Sequence, residues 1–250
     1  DTPFAGNPLA VIPDATGLPE DRLQTIAREF NFSETTFVYP PTRDDCDAKV
    51  RIFTPVFEMP FAGHPTVGTA IALNDLGRLG PEMVLELKVG SIPVTIADGR
   101  ARFVTAVPLE TAAGPSAAEI ADCVGLDPQD IETACHAPVE ASVGMPFVLS
   151  QLHSTEALKR AAPSTDAIRR VAGPNAQRMA LLIYVREGDE IAMRMFAPLG
   201  GILEDPATGS AAAALSAFLG RLDGRSQCFA MTQGVEMGRP SRIDAEVVVE

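Results

Sequence analysis

Gly63-His-Pro-Thr-Val-Gly-Thr-Ala70 and Glu204-Asp-Pro-Ala-Thr-Gly-Ser-Ala211 are two versions of one short pattern, and each is bracketed by matching neighbours. Upstream stand Arg51-Ile-Phe-Thr-Pro55 and Arg194-Met-Phe-Ala-Pro198; downstream stand Gly77-Arg-Leu79 and Gly220-Arg-Leu222. The outer blocks recur at one spacing and the central blocks at a slightly shorter one, so the copies differ only by a short gap on each side of the motif. A weaker pair, Gly6-Asn-Pro-Leu-Ala-Val11 against Gly144-Met-Pro-Phe-Val-Leu149, precedes them. This order predicts a duplicated architecture, with domains at 1–112 and 113–250 and with His64 and Asp205 as equivalent positions facing each other.

Composition narrows the class of protein. At 250 residues and 46% hydrophobic content the chain can bury one large core or two modest ones, and the duplication argues for two. A net charge of −13 repels a phosphate backbone, which excludes nucleic acid as the expected partner and favours small molecules. No apolar stretch approaches the roughly 18 residues of a membrane span, and no basic segment followed by an apolar one opens the chain, so a cytoplasmic protein is expected. Cys46, Cys123, Cys135 and Cys228 show no C-x-x-C spacing and are read as neutral, unpaired thiols.

Local patterning is mostly that of strands. Leu18-Pro-Glu-Asp-Arg-Leu23 opens a helix with Leu23, Ile26, Ala27 and Phe30 on one face, ending before Asn31. Strands are predicted over 35–39, 50–53, 84–89, 92–96, 101–107, 143–149, 179–185 and 191–196, several with clear alternation. Ser116-Ala-Ala-Glu119 is a capping box, and 110–115 is the expected linker.

The helices that follow the repeated motifs, 66–76 and 210–219, carry no charged face until their ends. Such a helix must be surrounded by protein, so each is expected to run through a rolled sheet, with Gly77 and Gly220 as left-handed caps past its end. Tight packing accounts for Ala70 and Ala211 to Ala214. It does not account for His64-Pro65 and Asp205-Pro206, just ahead of the helices. Two readings stand: helix caps, or polar groups beside the free amides of Gly63, Thr66, Gly209 and Ser210 in a cleft for a small anion.

The pieces Phe4-Ala-Gly-Asn-Pro-Leu-Ala-Val11, Asn31-Phe-Ser-Glu-Thr-Thr-Phe37, Met59-Pro-Phe-Ala-Gly-His-Pro-Thr66, the Glu204 to Ala211 block and Gln233-Gly-Val-Glu-Met-Gly-Arg-Pro-Ser241 occur in the order seen in one family. The chain resembles the PhzF-like family, the phenazine-biosynthesis isomerase group of the diaminopimelate-epimerase-like superfamily. That resemblance implies an α+β fold of two similar halves related by a pseudo-twofold, each a curved, mostly antiparallel sheet around a central apolar helix. It also implies an active site between them, commonly a homodimer, and further strands ahead of Asp1 and beyond Glu250. Glu34, His64 and Asp205 match the family's catalytic positions, and Gly63, Gly209 and Ser210 its ligand-contacting ones.

Epimerases of the superfamily set a cysteine at each helix start, whereas these motifs read Ala62-Gly-His and Ala207-Thr-Gly, which excludes a two-thiol racemase. Proton carriers are then Glu34, whose burial would raise its pKa, with His64 and Asp205. The expectation is an isomerase that needs no cofactor and no metal, shifting a proton along the carbon framework of a small carboxylate-bearing substrate of the trans-2,3-dihydro-3-hydroxyanthranilate type. Three scattered histidines without metal-ligand spacing disfavour a metal hydrolase, and His136 and His153 are expected at the surface. A non-catalytic binder of small anions on the same scaffold remains the alternative.

Overall fold

The computed structural model describes residues 3–105, 107–173 and 179–249. It divides into two compact units, Pro8–Ala106 and a second made of Val107–Glu250 together with Asp1–Asn7. The boundary thus falls before the one expected at 112/113, and the first seven residues belong with the C-terminal half. The stretch expected as a linker is instead largely strand, because Glu110–Ala113 pairs antiparallel with Val139–Ser142.

Pro8–Ala106 contains β1 (Leu9–Ile12), α1 (Leu23–Phe30), β2 (Glu34–Tyr39), β3 (Ala48–Phe53), β4 (Glu58–Met59), α2 (Gly63–Asp75), β5 (Glu82–Leu87), β6 (Gly90–Ala97) and β7 (Arg100–Phe103). The sheet order is β1-β2-β3-β5-β6-β7, with β4 on β3. The second unit contains β8 (Glu110–Ala113), α3 (Ala117–Val124), β9 (Val139–Ser142), β10 (Pro146–Gln151), α4 (Thr155–Arg160), α5 (Thr165–Ala172), β11 (Leu181–Glu187), β12 (Glu190–Ala197), β13 (Ile202–Asp205), α6 (Gly209–Asp223), β14 (Gln227–Gln233) and β15 (Ser241–Val247). Its order is β15-β14-β12-β11-β10-β9-β8, with β13 on β12.

The duplication is visible strand by strand. β1-β2 and β10-β11 are parallel, β2-β3 and β11-β12 antiparallel, β3-β5 and β12-β14 parallel, and β5-β6 and β14-β15 antiparallel. Each sheet is curled, and its central strands send side chains of alternating direction into a core on each face. In β11, Leu182 and Tyr184 pack with Ala211, Leu215 and Leu219 of α6, while Leu181 and Ile183 pack with Ile120 of α3 and Ile168 of α5. In the first unit, Val50 and Ile52 pack with Ala70 and Leu73 of α2, and Phe37 and Phe53 with Leu23 and Ala27 of α1. The all-round apolar helices are therefore the inner helices of curled sheets, as the pattern predicted.

A second echo of the duplication was not expected. Arg51 on β3 makes a two-pronged pair with Glu58 on β4 at 2.7 and 3.0 Å, and Arg194 on β12 makes the same pair with Glu204 on β13 at 2.8 and 2.8 Å. Each guanidinium also lies over the phenylalanine two residues on, Phe53 at 5.2 Å and Phe196 at 5.0 Å. These pairs fix the true register: two residues separate Pro55 from Glu58, five separate Pro198 from Glu204, and both helices then begin at glycine. Gly63 corresponds to Gly209 and His64 to Ser210. His64 and Asp205 are thus not equivalent positions.

Other boundaries shift for local reasons. Gly77 lies just past α2 at φ 66°, as expected, but Gly220 lies inside α6 and Gly224, at φ 66°, caps it. Of the strand expected over 143–149, the first three residues are instead the turn between β9 and β10, with Gly144 at φ 116°, and the strand proper begins at Pro146. β7 ends at Phe103. The Ser116 capping box and the left-handed Asn31 that stops α1 stand where the sequence places them.

Candidate active site

Each unit buries one set of polar side chains near the start of its central helix. In the first unit, Asn31 at φ 52° terminates α1, and the chain enters β2 at Glu34, which pairs with Leu9 of β1. α2 lies close against these strands. A Cβ on Gly68 would come within 2.7 Å of the Leu9 side chain, and Thr69 on α2 shares a 2.9 Å hydrogen bond with Thr36 on β2. That proximity brings His64, the second residue of α2, to Glu34: His64 Nδ1 is 3.4 Å from Glu34 Oε2, and Glu34 is only 7% exposed. Burial pulls the imidazole down to about 4, against a hydrogen bond with the Pro8 backbone that favours its charged form. Near neutrality His64 is therefore an uncharged ring beside a carboxyl group, and its Nε2 is buried with no hydrogen-bond partner among the described residues.

Thr66 does not fit the ligand-binding role expected for it. It is fully buried, and both its N–H and its hydroxyl donate to the Ala62 carbonyl, at 3.3 and 2.8 Å, so it has no donor left to offer. Pro65 has no N–H at all. The amides available in the first turn of α2 are those of Gly63 and His64.

Asp205, in the second unit, ends β13 three residues ahead of the residue preceding α6, Thr208, so it is not the helix cap that one reading allowed. It is 6% exposed. Burial raises its carboxyl to about 6, opposed by hydrogen bonds from the Thr208 hydroxyl and the Asn7 amide. Asn7 Nδ2 donates to Asp205 Oδ1 at 2.7 Å and to the Ala207 carbonyl at 3.0 Å, while the Thr208 hydroxyl donates to Asp205 Oδ2. Gln233, at the end of β14, is fully buried; its Nε2 donates to the Asp205 carbonyl at 2.6 Å and its Oε1 accepts from Thr208 N–H at 3.0 Å. Gly209 and Ser210 form the first turn of α6 immediately beyond.

The structure thus unites Glu34 with His64 in one unit and sets Asp205 in the other with partners that sequence reasoning assigned no role. Asn7 and Gln233 lie in the Gly6-Asn-Pro and Gln233-Gly stretches already singled out, but nothing local says that either would reach residue 205. Among the described residues no cluster of three or more His, Cys, Asp or Glu could hold a metal ion, and no helix is long and apolar enough to cross a membrane. No cysteine begins α2 or α6; Cys46 and Cys123 are buried, Cys135 and Cys228 exposed. His153 is half exposed beside Glu132, at 2.9 Å. His136, expected at the surface, is partly buried instead, stacked on Tyr184 and sharing a 2.6 Å hydrogen bond with its hydroxyl.

The phenazine biosynthesis-like family model, PhzC-PhzF, matches residues 1–250. The chain is 43% identical over 267 residues to an uncharacterised isomerase of Mesorhizobium japonicum, covering 99% of this chain and 87% of that protein. It is 39% identical over 259 residues to a trans-2,3-dihydro-3-hydroxyanthranilate isomerase of Pseudomonas fluorescens, covering 98% and 86%. Among solved structures, a Bacillus anthracis phenazine biosynthesis protein of the PhzF family aligns with a TM-score of 0.88 at 25% identity, covering 100% of this chain and 88% of that one.

Proposed function

This chain is an isomerase of the phenazine biosynthesis-like (PhzC-PhzF) family, and we propose that it moves a proton between two carbons of a small, conjugated, carboxylate-bearing substrate, with Glu34 as the proton carrier. The observation that carries this reading is the buried Glu34–His64 pair, a carboxyl 3.4 Å from an uncharged imidazole in a unit whose helix start holds no thiol. A carboxyl group can take a proton from one carbon and return it to another; an imidazole held neutral adds no net charge and can orient a polar group of the substrate. First-turn amides at Gly63 and at Gly209 and Ser210 suit the negative charge that develops when carbon loses a proton. Asp205 takes the part of a substrate-binding group that accepts from an amino or hydroxyl donor.

The substrate class follows the Pseudomonas fluorescens relative: trans-2,3-dihydro-3-hydroxyanthranilate, or a compound with the same placement of carboxylate and adjacent unsaturation. Such a proton shift needs no cofactor or metal. The reading includes a homodimer working in the cytoplasm on a small anionic metabolite.

Glu34→Gln is the test. It preserves size and most hydrogen bonding but cannot exchange a proton, so turnover of that substrate should fall by about 10² to 10⁴-fold while binding survives. Near-normal turnover would remove Glu34 from the chemistry. Wild-type protein in deuterium oxide should place solvent deuterium in the product; binding without deuterium incorporation into any candidate would instead identify a non-catalytic binder.

A further inference from the structure

The hydrogen-bond roles around Asp205 are forced. Thr208 N–H can only donate, and it meets Gln233 Oε1 at 3.0 Å; the Asp205 carbonyl can only accept, and it meets Gln233 Nε2 at 2.6 Å. The Gln233 amide therefore has a single orientation, fixed by two backbone groups. Its Nε2 is also 3.0 Å from Thr208 Oγ1, where nitrogen must be the donor, so the Thr208 hydroxyl proton is left for Asp205 Oδ2. Asn7 Nδ2 occupies Oδ1 from the other side. Gln233, Thr208 and Asp205 are 0%, 8% and 6% exposed, so water does not compete for these bonds.

The backbone leaves this arrangement no slack. Gly234 sits at φ 77°, and a Cβ there would lie 2.4 Å from the Arg239 carbonyl and 2.7 Å from the Pro206 carbonyl, so the chain after Gln233 is pressed onto the Asp205–Thr208 turn. Nearby charges in the unit are otherwise engaged. Arg194 on β12 is paired with Glu204 at 2.8 Å and lies 3.8 Å from Glu236, and Arg239 donates to the Gly6 carbonyl at 2.8 Å.

We propose that Gln233 and Thr208 form a fixed donor relay that positions the Asp205 carboxylate, holding it in one rotamer with one lone pair of Oδ2 taken from within, so that it meets substrate through its remaining lone pairs. Neither residue touches substrate; both act through Asp205. The inference rests on the reading of Asp205 as a substrate-binding group.

The experiment follows the Asp205 side-chain carboxyl by ¹³C NMR across pH in the substrate-free full-length protein, alongside KM and kcat. Thr208→Val removes the hydroxyl donor from the ionised form, so the titration midpoint should rise by about one pH unit and KM should rise by more than kcat falls. Thr208→Ser, which keeps the hydroxyl, should restore both. A valine variant titrating as wild type, or a serine variant that fails to restore the midpoint, overturns the relay. A raised midpoint with unchanged KM keeps the relay and removes Asp205 from the substrate site. If the valine variant does not fold, the unaltered protein decides: the Gln233 side-chain ¹⁵N amide signals should move with the same midpoint as the Asp205 carboxyl, and movement at any other pH, or none, overturns the proposal.

Discussion

Asp205→Asn should erase a pH dependence of stability that the wild-type chain carries. Burial holds the Asp205 carboxyl at about 6 against an ordinary 3.8. From about pH 4 to about pH 6 the folded state therefore keeps a proton that the unfolded chain has released. Because the folded state binds more protons in that window, stability is greatest below it, declines as pH rises through it, and is level above it. A rise of roughly two units corresponds to about 3 kcal/mol at about 1.4 kcal/mol per unit. Asparagine has the shape of the protonated acid and cannot ionise. His64 contributes the opposite slope: its pKa falls from 6.5 to about 4, so its contribution is present above the unfolded value and is lost as pH drops through the same range. The raw wild-type curve is flattened by this opposition, and only the difference between wild type and Asp205→Asn isolates the carboxyl. The chain has two tyrosines and no tryptophan. Tyr184 is fully buried in the unit that holds Asp205, so in a Tyr39→Phe background tyrosine fluorescence during urea unfolding reports on that unit. The stability difference should change by about 3 kcal/mol between pH 4 and pH 7, wild type losing. A change below about 1 kcal/mol would refute the claim that burial holds this carboxyl protonated.

Other perturbations separate the remaining roles. Arg194 is buried, pairs with Glu204 and donates to the Leu158 and Ala161 carbonyls at the end of α4, at 2.9 and 2.7 Å, so Arg194→Met leaves two carbonyls and the half-buried Glu204 carboxylate without their donor and should cost about 3 kcal/mol. The counterpart Arg51 is more exposed, and Arg51→Met should cost about 1 kcal/mol or less by urea midpoint; similar losses for both would contradict the burial argument. Gly234→Ala places a methyl against two carbonyl oxygens at a left-handed position and should lower the melting temperature by several degrees, at about 2 kcal/mol or more, with weaker substrate binding. Alkylation should label Cys135 and Cys228 first, since Cys123 is buried with its thiol pushed up to about 11, and should leave turnover intact; activity loss tracking one cysteine in folded protein would argue for a thiol in the chemistry.

Much of the fold was legible because the duplication left its mark on residues that pack. Arg51-x-Phe53 and Arg194-x-Phe196 keep the same stacked arginine, and the inner helices show their burial in the absence of charge. The internal register was not legible. The Gly-Thr-Ala and Gly-Ser-Ala steps align on small size alone, whereas the structural equivalence runs through Glu58 and Glu204, whose flanking loops differ in length. Gly220 looked like a cap because glycine often ends a helix; here a Cβ would come 2.7 Å from the Val247 side chain, so it serves close packing of α6 on β15. Strand β8 passed for a linker because it is exposed on both faces, leaving no alternation to read. Glu34 and His64 were accessible through motifs, while the environment of Asp205 depends on Asn7 and Gln233, distant in sequence and silent in local pattern.

The grouping of residues before Pro8 with the C-terminal unit means that the chain passes from one unit to the other twice, at Asn7–Pro8 and again near residue 106. During synthesis Asn7 emerges early, while Asp205 and Gln233 emerge late. Pro8–Ala106 can therefore close its own core while the ribosome is still making the residues after it, but the second unit can finish only when the stretch from Asp205 to Pro240 returns to a short segment made before Pro8. Halving the gene at the repeat boundary would not yield two self-sufficient pieces: the C-terminal piece would have its carboxylate without the amide that donates to Oδ1. A tag or fusion joined ahead of Phe4 would accordingly act, through Gly6 and Asn7, on a group some two hundred residues away in sequence.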